Sequence, residues 1–392
     1  MDHLKFMFVA GEPSGDALAA DLVRALRRQA AGGGGAGPSF EPVFFGAGGR
    51  HMREAGVDTV VDMTAHSVIG ISDVLKKILT FRRLFRRLCG LAGERQPDVV
   101  VCVDFSGFNR RLGHAIRARA GRAGGGWFQN WNPKIVQYVS PQVWASRPGR
   151  ALRMRDDFDL VLSIFPFEKN WYATHAPGLA VEFVGHPMMD RYGARDVRPR
   201  EMRESSVLLL PGSRKAELKR HVPVLCGALE VVRTAFPGIR ASMVLPDEGL
   251  AGMARSMGLP EGLRVVIGNL PEELAAADLA LASTGTVTME CAFFGVPTVA
   301  LYRTSWSTYQ IGRRIVSVRF LSMPNILADE AIFPEFIQHQ ATASSIGGCA
   351  IELLKNRARR AQIQSKLKDI IQSLGGPGAS DRAARAILNL AG

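Results

Sequence analysis

Short apolar runs, each joined through a tight polar turn to an amphipathic stretch, recur along this 392-residue chain and constrain its fold more than any other feature. The run LKFMFVA leads through GEPSGD into a helical pattern, and DVVVCVDF leads into SGFNRRLGHAIRARA. Nearly continuous apolar strands that alternate with helices are typical of parallel sheets covered on both faces. The sequence therefore predicts an α/β fold with doubly wound sheets.

The alternation starts again near residue 206, where SVLLLPGSRKAELKRH gives a second strand, glycine turn and helix. Residues 187–205 contain proline and charge without periodicity, which indicates a linker. We expect Rossmann-like domains over 1–186 and 206–370, followed by a last helix over 371–392. The strand ends of both domains would face a central cleft, where ligands of such folds bind.

The chain has 49 Lys and Arg residues against 36 Asp and Glu residues, a formal net charge of +13. This excess indicates a polyanionic partner, which could be nucleic acid, an anionic membrane surface or phosphorylated substrates. No long uncharged apolar run occurs, and the first short one leads into an acidic turn, so we expect neither a membrane span nor a signal peptide. These features predict a cytoplasmic protein.

Metal-binding patterns are weak. The five cysteines are far apart and form no C-x-x-C pair, which excludes a zinc ribbon and suits buried thiols in a reducing compartment. The acidic run Asp156–Asp159 precedes the strand LVLSIF, at the wrong end of a sheet for a cleft, and no second acidic cluster supports it. We expect no metal and no cofactor.

Two strand ends in the first half carry candidate acceptor-side and catalytic groups. In GEPSGD, Glu12 places a charge where the strand ends, and Ser14 or Asp16 could cap the following helix. Asp104 ends the strand VVVCV, where partial desolvation would suit a general base for a hydroxyl nucleophile. Each has a purely structural alternative, as part of a capped turn or as an N-cap aspartate.

Two turns in the second half have the composition of a nucleotide diphosphate site. PGSRKAE combines a flexible glycine with the Arg214 guanidinium, which suits a diphosphate although the Walker A spacing is absent. In STGTVTME, the Glu290 carboxylate lies one helical turn beyond Thr286 and could accept ribose hydroxyls while Thr286 helps to hold phosphate. Solvated charges and a capping threonine are the alternative. The residues predicted to bind a nucleotide diphosphate on this reasoning, which the resemblance described below identifies as UDP, are Gly212, Ser213, Arg214, Ser283, Gly285, Thr286 and Glu290.

The segment Ser67–Gly90 differs in kind, because its apolar residues share one broad helical face and its cations lie mostly opposite. A basic amphipathic helix suits an anionic membrane surface, and a core helix with a solvated cationic face is the alternative. Its aromatic residues fall on the apolar face, which disfavours nucleic-acid binding. The residues predicted to associate with the membrane are Val74, Leu75, Ile78, Phe81, Arg83, Phe85, Arg86 and Arg87.

Eight motifs resemble, in this order, those of the lipid-A-disaccharide synthases, glycosyltransferases of GT-B architecture. They are AGEPSGD, YVSPQVWASRPGR, FPFE, VGHP, LLLPGSRKAE, ASTGTVTME, GVPTVALYR and MPNILADEAIFPEFIQ. The resemblance covers nearly the whole chain. Pro13 stands where a small residue is usual and Ser146 where a tryptophan is usual, and both departures bear on the shape of the acceptor side. Ser106–Gly107 departs from D-x-P-D-F-N, which bears on whether Asp104 is the only base.

The resemblance implies an inverting transfer from UDP-2,3-diacylglucosamine to 2,3-diacylglucosamine 1-phosphate, with release of UDP. It implies that Asp104 is the base, that Arg214 stabilises the leaving group, that Glu12, Ser14 and Asp16 lie on the acceptor side and that no metal is needed. Asn325, in MPNILADE, joins the implied UDP-binding set. We expect peripheral association with the cytoplasmic face of the inner membrane. The resemblance also implies that the helix over 371–392 packs on the first domain of its own chain or of a second copy in a homodimer.

Two other function classes stay open from the sequence. One is another two-domain UDP-sugar enzyme, either an epimerase or a peptidoglycan-type glycosyltransferase. The other is a non-catalytic basic protein that binds membrane or nucleic acid, against which the acidic residues at predicted strand ends argue.

Overall fold

A computed structural model describes the chain over residues 3–32, 40–64, 74–123, 131–193 and 206–392. The chain divides into two compact units, one formed by Met1–Gly193 with Leu374–Gly392 and the other by Ala194–Ser373. Each unit contains its own parallel β-sheet.

Within the described residues, the sheet of the first unit has seven parallel strands in the order β3-β2-β1-β4-β5-β6-β7. The chain winds outward in one direction from β1 and in the other from β4, which confirms the doubly wound prediction. Every residue of β4 is buried, as expected for a central parallel strand. The strands are β1 (His3–Ala10), β2 (Glu41–Gly48), β3 (Asp58–Asp62), β4 (Val99–Val103), β5 (Lys134–Tyr138), β6 (Leu160–Ser163) and β7 (Val181–Phe183).

Helices connect these strands. Pro13 is the first residue of α1, where its fixed φ suits a helix and its missing N–H is not needed, so this departure from the family pattern fits the fold. The helices are α1 (Pro13–Ala30), α2 (Arg50–Glu54), α3 (Val74–Arg95), α4 (Ser106–Ala123), α5 (Arg150–Asp157), α6 (Pro166–His175) and α7 (Met188–Tyr192).

From residue 206 onward, where its description begins, the second unit repeats the architecture with six parallel strands in the order β10-β9-β8-β11-β12-β13. Its strands are β8 (Ser206–Leu210), β9 (Arg240–Leu245), β10 (Arg264–Ile267), β11 (Leu279–Ser283), β12 (Thr298–Tyr302) and β13 (Glu335–Ile337). Its helices are α8 (Lys215–Ala235), α9 (Glu248–Arg255), α10 (Leu270–Ala276), α11 (Val287–Phe293), α12 (Trp306–Ile315), α13 (Met323–Ala328), α14 (Ala343–Lys355) and α15 (Arg357–Ser373).

The last helix, α16 (Ala379–Ala391), lies on the first unit of the same chain. Asp190 in α7 accepts hydrogen bonds from the N–H groups of Ala379 and Ser380, at 3.1 Å each. Arg28 in α1 pairs with Asp381 at 2.7 Å. The stretch predicted as a linker therefore begins with a helix of the first unit, and its remainder from residue 194 lies outside the described residues.

The predicted membrane helix corresponds to α3, whose described side chains begin at residue 79. The ring of Phe81 lies 6.2 Å from that of Phe105, and Phe85 makes an edge contact with Phe108 at 5.7 Å. Both rings are half-buried and pack against the protein's own core, so only part of each ring is open to a membrane surface.

The remaining predicted membrane contacts of α3 fall into two groups. Arg83, Arg86 and Arg87 are exposed. The side chains of Val74, Leu75 and Ile78 lie outside the described part, as do residues 67–73. In the ranges that the structure covers, no helix has the length and apolar character needed to cross a bilayer.

Candidate active site

The loops after β1 and β4 meet at the carboxyl edge of the first sheet, because these two strands are neighbours. A Cβ atom on Gly11 would lie 2.3 Å from Cδ1 of Phe105, so only glycine allows this approach. A Cβ atom on Gly15 would lie 3.6 Å from Cβ of Asp104. The structure therefore brings the predicted residues Glu12 and Asp104 to one place.

Asp104 has a left-handed backbone conformation, with φ of 48°, which is uncommon outside glycine and tolerated best by Asp and Asn. Its carbonyl oxygen accepts hydrogen bonds from Nδ2 of Asn109 at 2.9 Å and Nε2 of Gln137 at 3.2 Å. Its N–H donates to the carbonyl of Tyr138 at 2.9 Å. The surrounding strands thus hold this strained residue in a fixed position.

The electrostatic surroundings of Asp104 suit proton abstraction. Burial raises the pKa of its carboxyl group, the negative charge of Glu12 raises it further, and a hydrogen bond from the N–H of Phe105 opposes both. A carboxylate with a raised pKa binds a proton more strongly, which makes it a better general base. Ser14 is exposed beside this pair, and Glu12 is half-buried.

Asp16, predicted to contact sugar hydroxyls, has a structural role instead. It is 2% exposed, and its carboxylate accepts hydrogen bonds from the N–H groups of Gly49 at 2.6 Å, His51 at 2.8 Å and Met52 at 3.2 Å. These donors belong to the first turn of α2 and the residue before it, whose N–H groups have no partner within the helix. Asp16 caps α2, so its assignment to the acceptor side is wrong.

We expect Asp16→Ala to lower the free energy of unfolding by about 3 kcal/mol, since three buried N–H groups lose a charged acceptor. Chemical denaturation measures this. Asp21→Ala is the control, because Asp21 makes only an exposed ion pair with Arg24 at 2.8 Å, and its loss should cost less than about 0.5 kcal/mol. Equal effects of the two substitutions would contradict the capping role.

The loop after β8 forms the first half of the predicted UDP site. Gly212 has φ of 113°, a conformation that requires glycine in practice. The N–H of Ser213 donates to Oε2 of Glu217 at 3.1 Å, and Nη1 of Arg214 lies 3.3 Å from Oε1. This loop therefore already holds an oxyanion, the Glu217 carboxylate, with the groups predicted to hold a diphosphate.

A buried histidine fixes this loop to its neighbour. Nδ1 of His221 lies 2.7 Å from the carbonyl oxygen of Pro211, and Nε2 accepts the N–H of Arg303 at 3.1 Å. Burial lowers the pKa of His221, which favours the neutral ring that this pattern requires. The loops after β8 and β12 are thereby held in register.

The loop after β11 supplies the second half of the predicted UDP site. Ser283 ends the strand and is buried, Gly285 has φ of 142°, and Thr286 is exposed at the start of α11. Glu290 is half-buried one turn further on. Because β8 and β11 are adjacent parallel strands, both predicted UDP loops lie at one edge of the second sheet, at its switch in strand order.

Asn325, which the resemblance placed at the UDP site, is fully buried and engaged within the second unit. Its Nδ2 donates to the carbonyl of Phe333 and to Glu335, at 2.8 Å each, and its Oδ1 accepts the N–H of Phe333 at 2.8 Å. The side chain therefore fixes the segment before β13. In the observed conformation its polar atoms already have partners within the unit, so the prediction that this side chain contacts UDP is wrong.

Several acidic groups are committed to structural contacts. Asp157 pairs with His114 at 2.7 Å and Asp159 with Arg117, which accounts for the acidic run in LRMRDDFD. Among the described residues, no group of three or more His, Cys, Asp and Glu side chains is placed to hold a metal ion. Glu168 accepts the indole N–H of Trp144 at 2.9 Å, and burial raises its pKa to about 7.

Sequence reasoning gave no role to a set of arginines that the structure brings together at the starts of α4 and α5. Part of the signal was present, because Arg150 and Arg153 lie in the first turn of α5, where cations oppose the helix dipole. The cluster comprises Arg110, Arg111, Arg147, Arg150 and Arg153.

Two doubly wound units, each with polar loops at the switch in strand order of its sheet, define the class of two-domain GT-B glycosyltransferases and related sugar-nucleotide enzymes. Two solved structures show the same fold. UDP-GlcNAc 2-epimerase from Neisseria meningitidis bound to UDP-GlcNAc matches with a TM-score of 0.63 and 11% identity, over 99% of this chain and all of that one. The glycotransferase of kitacinnamycin matches with a TM-score of 0.60 and 17% identity, over 100% and 99% of the two chains.

Sequence relatives resolve the choice within that class. The family described as lipid-A-disaccharide synthetase matches residues 6–389. Lipid-A-disaccharide synthases from Trichlorobacter lovleyi and Geobacter sulfurreducens are each 34% identical to this chain, covering 98% and 99% of it and 97% of each relative. The chain belongs to the lipid-A-disaccharide synthase family and is a glycosyltransferase, which confirms the resemblance seen in the sequence.

Proposed function

We propose that this enzyme transfers 2,3-diacylglucosamine from its UDP derivative to the 6-hydroxyl of 2,3-diacylglucosamine 1-phosphate. The products are a β-1′,6-linked tetraacyl disaccharide 1-phosphate and UDP. Family membership supports a UDP-sugar donor and a lipid acceptor. The observation that carries the chemistry is Asp104, a desolvated carboxylate held rigidly beside Glu12 at the edge of the first sheet.

In this mechanism the acceptor binds to the first unit. Asp104 takes the proton of the 6-hydroxyl as that oxygen attacks the anomeric carbon on the face opposite UDP. The bond from the anomeric carbon to the UDP oxygen breaks through an oxocarbenium-like state, and the configuration inverts. Glu12 and Ser14 lie where they could orient sugar hydroxyls.

The donor binds to the second unit. Glu290 takes the ribose hydroxyls, while the Ser213 N–H, Arg214 and Thr286 surround the diphosphate. A guanidinium and backbone N–H groups stabilise the negative charge that moves onto the leaving phosphate, so the reaction proceeds without a divalent metal.

The experiment is to mix the purified protein with UDP-diacylglucosamine and diacylglucosamine 1-phosphate and to follow UDP and disaccharide by mass spectrometry. Stoichiometric formation of both supports the proposal. An epimer of the UDP-sugar without a disaccharide, separated from the donor by chromatography because the two have the same mass, would instead identify an epimerase. No consumption of the donor would remove the catalytic proposal altogether.

We also propose that α3 associates peripherally with the anionic cytoplasmic face of the inner membrane. Its exposed cations Arg83, Arg86 and Arg87 support this, and its half-buried aromatic residues offer only part of each ring to such a surface. Both substrates carry acyl chains, so such a surface is where the enzyme would meet them.

Replacing Arg83, Arg86 and Arg87 together with glutamine should weaken binding to anionic vesicles roughly a hundredfold, at about 1 kcal/mol for each cation. Sedimentation with phosphatidylglycerol vesicles measures this. The matched control replaces Lys355, Arg357 and Arg359, which are exposed cations of the second unit, and should leave sedimentation unchanged. Equal losses in both triple variants would mean that net charge alone, and not α3, determines binding.

A further inference from the structure

The arginine cluster lies where two neighbouring helices begin. The contact between Nδ1 of His114 and Oδ1 of Asp157, at 2.7 Å, joins α4 to α5. His114 is one helical turn beyond Arg110, and Asp157 is one turn beyond Arg153, so Arg110 and Arg153 lie one turn nearer the starts of the two helices. A Cβ atom on Gly113 would lie 2.9 Å from the ring of Phe158, so the helices pack closely.

The other members extend this charged surface. Arg111 follows Arg110 on α4 and is exposed. Arg150 is the first residue of α5, and its N–H donates to the carbonyl of Arg147 at 3.0 Å. Cations at the first turns of helices oppose the helix dipole unless an anion lies nearby.

The cluster is electrostatically unfavourable as it stands. Burial lowers the pKa of Arg110, and the charges of Arg153 and Arg111 lower it further, while Asp157 acts in the opposite direction. Burial also lowers the pKa of Arg150, followed by the charge of Arg110. Asp157 is shared with His114, so it offsets only part of this repulsion.

One nitrogen of the cluster has no partner among the described residues. Nη1 of Arg110 is buried and makes no hydrogen bond there. Guanidinium groups bind phosphate oxygens through paired, charge-assisted hydrogen bonds. A phosphate monoester carries close to two negative charges and three acceptor oxygens, which suits several converging arginines.

The cluster also lies close to the proposed base. Helix α4 begins two residues after Asp104, and Arg110 is four residues further along it, a rise of about 6 Å. In the proposed function, the diphosphate of the donor belongs to the second unit. The anionic group that reaches the first unit is then the phosphate on the acceptor sugar.

We propose that the arginine cluster binds a phosphate monoester, and that this group is the 1-phosphate of the acceptor sugar. The second clause rests on the proposed function, whereas the first does not. Arg110 and Arg153 position the acceptor through its phosphate, so that the 6-hydroxyl is presented to Asp104.

The decisive experiment measures the kinetics of the wild type and of Arg110→Gln, each with two acceptors. These are diacylglucosamine 1-phosphate and its phosphate-free counterpart diacylglucosamine. Arg110→Gln should raise KM for the phosphorylated acceptor roughly tenfold or more, with kcat and the KM of the donor nearly unchanged. With the phosphate-free acceptor, the variant and the wild type should behave alike. An equal loss with both acceptors would overturn the proposal.

Thermal unfolding supplies a readout that does not depend on activity. Glucosamine 1-phosphate should raise the Tm of the wild type and should raise that of Arg110→Gln much less. Arg385→Gln, which removes an exposed arginine of α16, is the matched control and should respond like the wild type. No shift of the wild-type Tm at millimolar glucosamine 1-phosphate would overturn the cluster as a phosphate site.

The outcomes separate the two proposals. If the wild type forms no disaccharide yet glucosamine 1-phosphate still raises its Tm in an Arg110-dependent way, the proposed function fails and the phosphate site stands. If Arg110→Gln and Arg153→Gln instead reduce sedimentation with anionic vesicles and leave KM of the acceptor unchanged, the cluster binds lipid headgroups and the acceptor assignment is wrong.

Discussion

Asp104→Asn should lower kcat at least a hundredfold while the protein remains folded, the usual scale for loss of a general base. Asparagine tolerates the left-handed backbone at this position nearly as well as aspartate, so the loop keeps its shape. The amide cannot take a proton from the acceptor hydroxyl. Steady-state kinetics with saturating substrates measures this loss.

The same substitution should slightly raise stability at neutral pH. Burial and the charge of Glu12 raise the pKa of Asp104 above its value in the unfolded chain, so ionising this group costs folding free energy. The wild type loses that increment as pH rises through the interval between the two pKa values, and the asparagine variant does not. Activity of the wild type should fall on the acid side as the carboxylate becomes protonated.

Asp369→Asn is the matched control, because Asp369 is an exposed carboxylate of α15 in the second unit. It should change neither kcat nor Tm. Near-native turnover of Asp104→Asn, with an unchanged acid limb in the pH profile, would show that another group takes the proton.

Arg214→Gln should lower kcat roughly a hundredfold, because the guanidinium stabilises charge that develops on the leaving diphosphate. Arg214→Lys should lose less, since it keeps the charge and gives up only the paired hydrogen bonds. The side chain is 70% exposed and makes an ion pair with Glu217, which is worth little at such exposure, so Tm should barely move. Steady-state kinetics measures the loss of kcat in each variant, and calorimetry with UDP measures the loss of affinity.

Arg255→Gln offers a control on the same unit, where the removed arginine makes an exposed pair with Glu248. This variant should keep full activity. Should Arg214→Gln and Arg255→Gln prove equally active, the leaving-group role of Arg214 would be untenable.

The sequence was sufficient to predict where the functional loops lie. Apolar runs that end in glycine-containing turns mark the carboxyl ends of β1, β8 and β11, and Asp104 marks that of β4. In parallel sheets these ends share an edge, so the local pattern predicts which candidate loops are neighbours. Glu12 with Asp104, and Arg214 with Thr286, lie at the carboxyl edges of their sheets, as that pattern predicts.

The hydrogen-bond and packing partners of individual side chains could not be predicted in the same way. Asp16 finds its partners more than thirty residues away, at the start of α2, and no local pattern announces them. The amphipathic pattern of α3 predicts that its apolar face is buried, but not by what. Phe105 and Phe108 contact that face only because α4 packs beside α3. The pairing of α4 with α5 brings Arg110 and Arg153 together in the same manner.

The carboxylate of Glu217 has a consequence for the catalytic cycle. A diphosphate that takes the Ser213 N–H and Arg214 must exchange with this internal counter-ion, so its net affinity is the difference between two anions. In the proposed cycle, Glu217 would resume its contacts with the Ser213 N–H and Arg214 when UDP departs, so these donors would keep an acceptor. Such an exchange would lower the affinity for UDP and speed its release. Product release is the rate-limiting step of many enzymes.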